Sequence, residues 1–340
     1  MRRRTYPFEL RRAGRIALAA ATALTLALTA SAQMPTDRPS SEPPASEEPT
    51  SAQPTFRSAV NLVSVTAVVK DSRGRPVRNL TQGDFTILEN GSARPIVDFG
   101  YTDEGGVSFG VLVDQSGSMQ LAGNLVAARD VVRHLLAWFD PQRDEVALFA
   151  FDQKLARVQD FTSDASKVAD ALPRLTAYGT TALYDAIGST AQALTERPTP
   201  RRALIVITDG LDTASVLSAA EVSGMASAID VPVYVVAVMS PMNHPETGVS
   251  PVLQEGEAIT SSLGNLAHWT GGDMLVATTP AETSRAARQF VVELRHQYLL
   301  AFESSAQAGW HRVSVLTRKR DLQVRARSGY IAEGDPGRAP

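Results

Sequence analysis

The stretch Phe109-Gly-Val-Leu-Val-Asp-Gln-Ser-Gly-Ser-Met119 decides the fold of this chain. Its first residues predict a buried strand, which ends in Asp114 and is followed by two hydroxyls, Ser116 and Ser118. A carboxylate and two hydroxyls at the end of a buried strand form half of an oxygen-only metal site. Such a site binds a hard divalent cation and can leave part of the coordination shell free for a partner.

Around this stretch, from Val107 to about His296, apolar strands alternate with amphipathic helices. The predicted strands are Phe109–Val113, Glu145–Phe151, Ala203–Thr208, Pro232–Val238 and Asp273–Val276. The predicted helices are about Leu121–Phe139, Ser166–Leu172, Ala182–Glu196, Ala219–Ile229, Glu257–Trp269 and Ala281–His296. This pattern predicts an α/β fold over 107–296, a doubly wound, mostly parallel sheet covered on both faces. Ligands of such folds bind at the carboxyl ends of the strands.

The two flanks of this region have the alternating pattern of β strands. Residues 56–101 form an N-terminal β unit with a turn at Asn90-Gly91. Residues 297–332 contain further strands, with Arg318-Lys319-Arg320 as a solvated hairpin tip. We expect the strands of both flanks to join in one small antiparallel β domain beside the central region.

The N-terminal residues have the features of an export signal. Residues 1–32 contain six arginines, then an apolar run, and end in Ala30-Ser31-Ala32, which predicts a signal peptide cleaved after Ala32. The alternative is a retained membrane anchor, which needs about 20 apolar residues. Arg11-Arg12 is a weak hint of twin-arginine export. Residues 33–55 are rich in Pro, Ser and Glu and predict a disordered linker.

Composition excludes several classes of protein. The net charge of −3 becomes −8 after removal of residues 1–32, which hold six Arg and one Glu. An acidic, exported chain (periplasmic or secreted, without a membrane span after cleavage) is a poor candidate for binding nucleic acid. The absence of cysteine excludes disulfides, thiol catalysis and cysteine-bound zinc.

Three loops at the predicted carboxyl edge offer oxygen ligands. They are Asp114–Ser118, then Ala177-Tyr-Gly-Thr-Thr-Ala-Leu-Tyr-Asp185, then Thr208-Asp209-Gly210 after an apolar strand. Hard cations such as Mg²⁺ prefer oxygen ligands and usually keep several waters. Two carboxylates and three hydroxyls suit that preference.

The order of these motifs resembles a von Willebrand factor type A domain. In that family the corresponding residues form the metal-ion-dependent adhesion site. The resemblance assigns metal-ligand roles to Asp114, Ser116 and Ser118 of the first motif and to Asp209 of the last. Alignment on Ala-Leu-Tyr-Asp favours Thr181 as the remaining ligand, with Thr180 as the alternative. The implied cofactor is Mg²⁺ or Mn²⁺.

The flanks are similar to a narrower group, the exported bacterial VWFA-related domain proteins. That similarity rests on four segments, Val68–Leu80, Asp84-Phe85, Glu89–Gly91 and Arg325–Tyr330. It covers about residues 56–332. Membership of the group implies little about activity.

The function that these residues favour is metal-dependent binding of another protein, which supplies a Glu or Asp ligand, without catalysis. One alternative is a structural envelope protein with a vestigial metal site, and another is a metal-assisted hydrolase. Ser116 lacks the Gly-x-Ser-x-Gly context of a hydrolase nucleophile.

Other side chains have simpler interpretations. Asp114 and Asp209 could instead cap helices. Asp185 could orient the site's ligands from a second layer, whereas Asp152 and Asp212 are expected to be solvated or capping. Trp138 and Trp269 are expected in the core.

Overall fold

The structure, a computed structural model, describes residues 62–102, 105–199, 201–210, 212–228, 230–238, 258–305 and 307–332. The predicted signal peptide (1–32), the predicted linker (33–55) and the first residues of the N-terminal β unit lie outside the described residues. None of the helices in the described ranges combines the length and apolar character that crossing a bilayer requires.

Strands and helices follow the predicted order within the described ranges. The strands are β1 (Leu62–Asp71), β2 (Phe85–Glu89), β3 (Ser92–Arg94), β4 (Ile96–Thr102), β5 (Ser108–Asp114), β6 (Glu145–Phe151), β7 (Leu155–Thr162), β8 (Arg202–Thr208), β9 (Val233–Val238), β10 (Met274–Ala277), β11 (Gln297–Glu303), β12 (Gly309–Thr317), β13 (Leu322–Ala326) and β14 (Gly329–Ala332). The helices are α1 (Asn124–Leu136), α2 (Ala165–Ala171), α3 (Leu183–Thr195), α4 (Ala219–Ala228), α5 (Ala258–Trp269) and α6 (Pro280–Arg295). A 3₁₀ segment, Gly117–Gly123, precedes α1.

The central sheet has the strand order β10-β9-β8-β5-β6-β7, and all neighbours are parallel except β6 and β7. Helices α1, α2 and α6 contribute to the apolar core on one face, and α3, α4 and α5 to the core on the other. The doubly wound α/β fold is thereby confirmed. β5 lies between β6 and β8, where the strand order reverses, and this is where such sheets bind ligands.

Two antiparallel sheets flank the central one, with the orders β13-β1-β11-β4 and β14-β12-β2-β3. β1 pairs with β11 and β13, and β2 pairs with β12, so both ends of the described chain share these sheets as expected. Their common core includes Val65, Ile87, Tyr298 and Phe302. The Asn90-Gly91 turn joins β2 to β3 with φ of 49° and 83°, the positive values that such a two-residue turn requires.

Three details differ from the sequence predictions. Arg318–Arg320 is not a hairpin tip, because β12 and β13 belong to different sheets and the turn forms a corner between them. The antiparallel edge strand β7 was not predicted, because its half-exposed residues lack an apolar run. Trp138 and Trp269 are substantially exposed rather than core residues.

A buried network of charges joins a flanking sheet to the helical layer. Glu293 on α6 is almost fully buried and pairs with both Lys70 of β1 and Arg325 of β13. Asp273 accepts a second bond from Arg325 at 2.6 Å and lies 3.5 Å from Lys70 Nζ. Since buried charges are tolerated when they are paired, this network fixes the flanking sheet against α6.

Replacing Glu293 with glutamine is expected to lower the free energy of unfolding by about 3 kcal/mol, because the largely buried cations of Lys70 and Arg325 lose one of their two counter-charges. Urea unfolding followed by circular dichroism measures the change. Asp130→Ala, which removes the exposed pair with Arg133, serves as control and should cost less than about 1 kcal/mol. Equal effects of the two variants would contradict this role of Glu293.

Candidate functional site

Asp114, the last residue of β5, is fully buried at the carboxyl edge of the central sheet. Its Oδ1 accepts a hydrogen bond from the Ser116 N–H at 2.8 Å. Its Oδ2 accepts one from the Thr208 hydroxyl at 2.6 Å. Since Thr208 ends the neighbouring strand β8, the second bond joins the two strands on either side of the topological switch.

The environment of Asp114 alters its acidity. Burial raises the pKa of the carboxyl group to about 6, because the charged form loses its solvation. The hydrogen bonds from Thr208 and Ser116 favour the charged form and limit this increase, while the negative charge of Asp209 adds to it. Asp209 directly follows Thr208, whose hydroxyl binds Asp114, so the two aspartates lie at the same edge of the sheet.

Ser116 and Ser118 lie together directly after β5. Ser116 is buried, Ser118 is partly exposed, and their hydroxyl oxygens are 3.0 Å apart. Gly117 between them donates its N–H to the Gly179 carbonyl at 2.9 Å, where an added Cβ would lie only 3.2 Å from that oxygen. Gly179 has a φ of +84°, which favours glycine. These two glycines hold the first loop against the second.

The second loop carries both candidate threonines. Thr181 is buried, whereas Thr180 is exposed. The Thr181 N–H donates to Thr213 Oγ1 at 3.0 Å, and its carbonyl accepts from the N–H groups of Thr213 and Ala214 at 2.9 Å. The backbone of Thr181 is thereby tied to the loop that follows Asp209.

Asp209 follows β8 and is partly buried. Its Oδ1 is a buried atom that has no hydrogen-bond partner within the described part of the chain. A buried carboxylate oxygen without a partner is energetically costly and therefore calls for an explanation such as an ion.

Two further aspartates hold these loops in place. Asp212 accepts hydrogen bonds from the Leu183 N–H at 2.8 Å and the Ser215 hydroxyl at 2.6 Å. Asp185 accepts from the N–H groups of Val216 and Leu217, at 3.0 and 2.9 Å. Both carboxylates therefore brace the start of α3 against the loop before α4.

Sequence reasoning placed Thr208 in the third loop but gave it no role, although its hydroxyl binds Asp114 directly. In the sequence it is the last residue of a predicted strand. The available signal was a hydroxyl residue at the end of an apolar run, immediately before an aspartate.

The donor chemistry fits a hard cation. In the described ranges, no group of three or more His, Cys, Asp or Glu side chains could hold a metal ion. The donors gathered here are instead hydroxyls and two carboxylates, and one carboxylate oxygen lacks a protein partner. Oxygen donors of this kind suit Mg²⁺ or Mn²⁺.

A family model and several solved structures match parts of this chain. Residues 110–211 match the family model of the von Willebrand factor type A domain. BatB from Bacteroides thetaiotaomicron is 21% identical, with 54% of this chain and 96% of that chain covered and a TM-score of 0.41. A von Willebrand factor type A protein from Catenulispora acidiphila is 12% identical, with 81% and 75% covered and a TM-score of 0.45. No curated protein sequence matches the chain significantly.

The chain therefore contains a von Willebrand factor type A domain match at residues 110–211, within its central α/β region. That class comprises protein-interaction and adhesion-type modules.

The raised pKa of Asp114 predicts how the free energy of unfolding depends on pH in protein treated with EDTA. The folded carboxyl group binds its proton more tightly than the unfolded one, whose pKa is near 3.9. Protonation of Asp114 therefore contributes roughly 3 kcal/mol to the free energy of unfolding. This contribution is fully present below about pH 4 and is lost as the pH rises through about 6.

This loss should be absent from Asp114→Asn, which cannot ionise. The measurement is urea unfolding of both proteins between pH 4 and 7.5, and the quantity of interest is the difference between their stabilities. Parallel curves for the two proteins would contradict the raised pKa.

Proposed function

We propose that this chain binds another protein through a divalent cation, Mg²⁺ or Mn²⁺, and has no catalytic activity. The ligands proposed for the cation are Asp114, Ser116, Ser118, Thr181 and Asp209. The observation that carries the proposal is the buried Oδ1 of Asp209, which has no hydrogen-bond partner among the described residues and lies at the same sheet edge as the buried carboxylate of Asp114. The proposed location is outside the cytoplasm, periplasmic or secreted, as residues 1–32 predict.

The ligand set determines what the site can do. Ser and Thr hydroxyls are neutral donors, so two carboxylates alone supply negative charge. A cation held by this set would remain electrophilic and could accept a carboxylate oxygen from a Glu or Asp of the partner. The bonds from Thr208 and Ser116 keep the Asp114 carboxylate oriented before any ligand arrives.

Exposed apolar side chains on the same loops support a protein partner. Tyr178 is 76% exposed in the second loop, and its N–H donates to the Gln115 carbonyl of the first. Val216 is 91% exposed in the loop braced by Asp185, and Leu121 is exposed just after Ser118. Apolar side chains displayed together at one edge favour association with another protein surface.

Asp209→Asn should separate metal binding from folding. The substitution removes a negative charge near Asp114 and breaks no hydrogen bond to Oδ1. The free energy of unfolding in EDTA should therefore rise or stay within about 0.5 kcal/mol of the wild-type value. Affinity for Mg²⁺ should fall by at least about tenfold. Isothermal titration with MgCl₂ and MnCl₂ measures the affinity, and urea unfolding measures the stability.

Asp164→Ala is the control. It removes the N-cap of α2, where the carboxylate accepts from the Ser166 N–H at 3.0 Å, so it should lower stability while leaving the affinity for Mg²⁺ nearly unchanged. If wild type and Asp209→Asn bind Mg²⁺ equally, or neither binds it, the metal site is refuted and a structural role with a vestigial site is favoured.

Partner binding can be tested apart from metal binding with Tyr178→Ala. We expect this variant to bind Mg²⁺ like wild type but to retain a partner from envelope extract at least about fivefold less well, because an exposed aromatic contact is lost. The measurement is a pull-down with Mg²⁺ and then with EDTA, quantified by mass spectrometry. If the amount of captured partner is the same with Mg²⁺ and with EDTA, and the same for wild type and Asp209→Asn, the interaction is not bridged by a metal ion.

A further inference from the structure

A second site candidate lies at the opposite end of the central sheet. It is a cleft of about 680 Å³ between α4 and the end of α5 on one side and β12 and β13 on the other. The end of α5 leads to the amino ends of β9 and β10, where Thr270 Oγ1 accepts the Val233 N–H at 3.0 Å. The metal-site loops are at the carboxyl edge, so the cleft is a separate site. Its volume is within the range of small-molecule sites, about 300–1,000 Å³.

Two accessible tryptophans line this cleft. Trp269 is 39% exposed, and its backbone is anchored because its carbonyl accepts from Ser227 Oγ at 3.0 Å and from the Ser328 N–H at 2.8 Å. Trp310 is 49% exposed, and its ring lies over Gly329, where an added Cβ would be 2.3 Å from Cζ2. An accessible ring that is already packed in place, as that of Trp310 is, offers a flat apolar contact at little entropic cost.

The charged lining of the cleft is basic in a chain of net charge −3. The described lining residues include three arginines and a histidine but no Asp or Glu. Arg325 is paired with Asp273 and Glu293, and Arg327 donates to backbone carbonyls. Arg312 and His268 have no ion-pair partner among the described residues, so they are available to an anionic ligand.

Ser328 is the accessible serine of the cleft whose hydroxyl faces a ligand as an acceptor. Its Oγ donates to the Trp269 carbonyl at 3.1 Å, whereas Ser223 and Ser227 are buried. A hydroxyl that has donated its proton retains lone pairs. Ser328 can therefore accept a hydrogen bond from a ligand that carries hydroxyl groups.

We propose that this cleft binds an acidic saccharide, a sugar that carries a carboxylate. The C–H face of the sugar ring would pack on the indoles of Trp269 and Trp310, and one of its hydroxyls would donate to Ser328. The carboxylate would pair with the Arg312 guanidinium, whose planar donor geometry matches it. A neutral sugar leaves Arg312 unpaired, and an acid without hydroxyls leaves the Ser328 acceptor unused.

The test compares three probes on the full chain in EDTA, so that its outcome is independent of the metal site. Glucuronate carries both features, glucose lacks the carboxylate, and cyclohexanecarboxylate lacks the hydroxyls. Saturation-transfer NMR titration measures binding without relying on tryptophan fluorescence. Glucuronate should bind at least about tenfold more tightly than either of the other probes.

Two exposed positions provide variants that should fold. Trp310→Ala should reduce glucuronate affinity at least about tenfold, and Arg312→Gln should bring it to within about twofold of glucose. Trp138→Ala is the matched control, because that ring lies outside the cleft under Arg288, and binding should be unchanged. Equal binding of glucuronate and glucose, no binding of any probe, or retained affinity in Trp310→Ala would overturn the proposal.

Discussion

A buried carboxylate at the end of an apolar strand is the constraint on which the candidate metal site depends. Asp114 cannot be solvated by water, so its oxygens take hydrogen bonds from Ser116 and Thr208. The first bond folds the chain sharply back after β5. The second requires β8 to lie beside β5 and to end at the same level. These two bonds can form only because the strand order reverses at β5 and the loops that follow β5 and β8 meet at this edge.

Much of the fold was predictable, because parallel strands buried on both faces have continuous apolar sequences and helices between them are amphipathic. The placement of Asp114 and Asp209 at one edge follows from the same rule. Other features had no local signal. The Thr208 bond joins residues 94 apart, β7 is a mixed polar edge strand, and the corner at Arg318–Arg320 depends on which sheet each strand joins.

The flanking sheets contribute surfaces that neither they nor the central domain could form alone. The cleft lined by Trp269 and Trp310 takes one wall from α4 and α5 and the other from β12 and β13. Arg325 lines this cleft and also pairs with Glu293. The Glu293 charge network therefore holds the two walls of the cleft together close to the cleft itself. Residues that are so distant along the chain form no recognisable motif, which is why sequence analysis did not identify this site.

The pairing of β4 with β11 has a consequence for the order of folding. Thr102, where the chain leaves its flanking sheet, is the direct partner of Gln297, where it returns. Bringing such remote residues together in an unfolded chain is entropically costly. A completed central domain holds them side by side and removes most of that cost. This pairing therefore favours assembly from the middle of the polypeptide outward, with the flanking sheet closing around an already ordered segment.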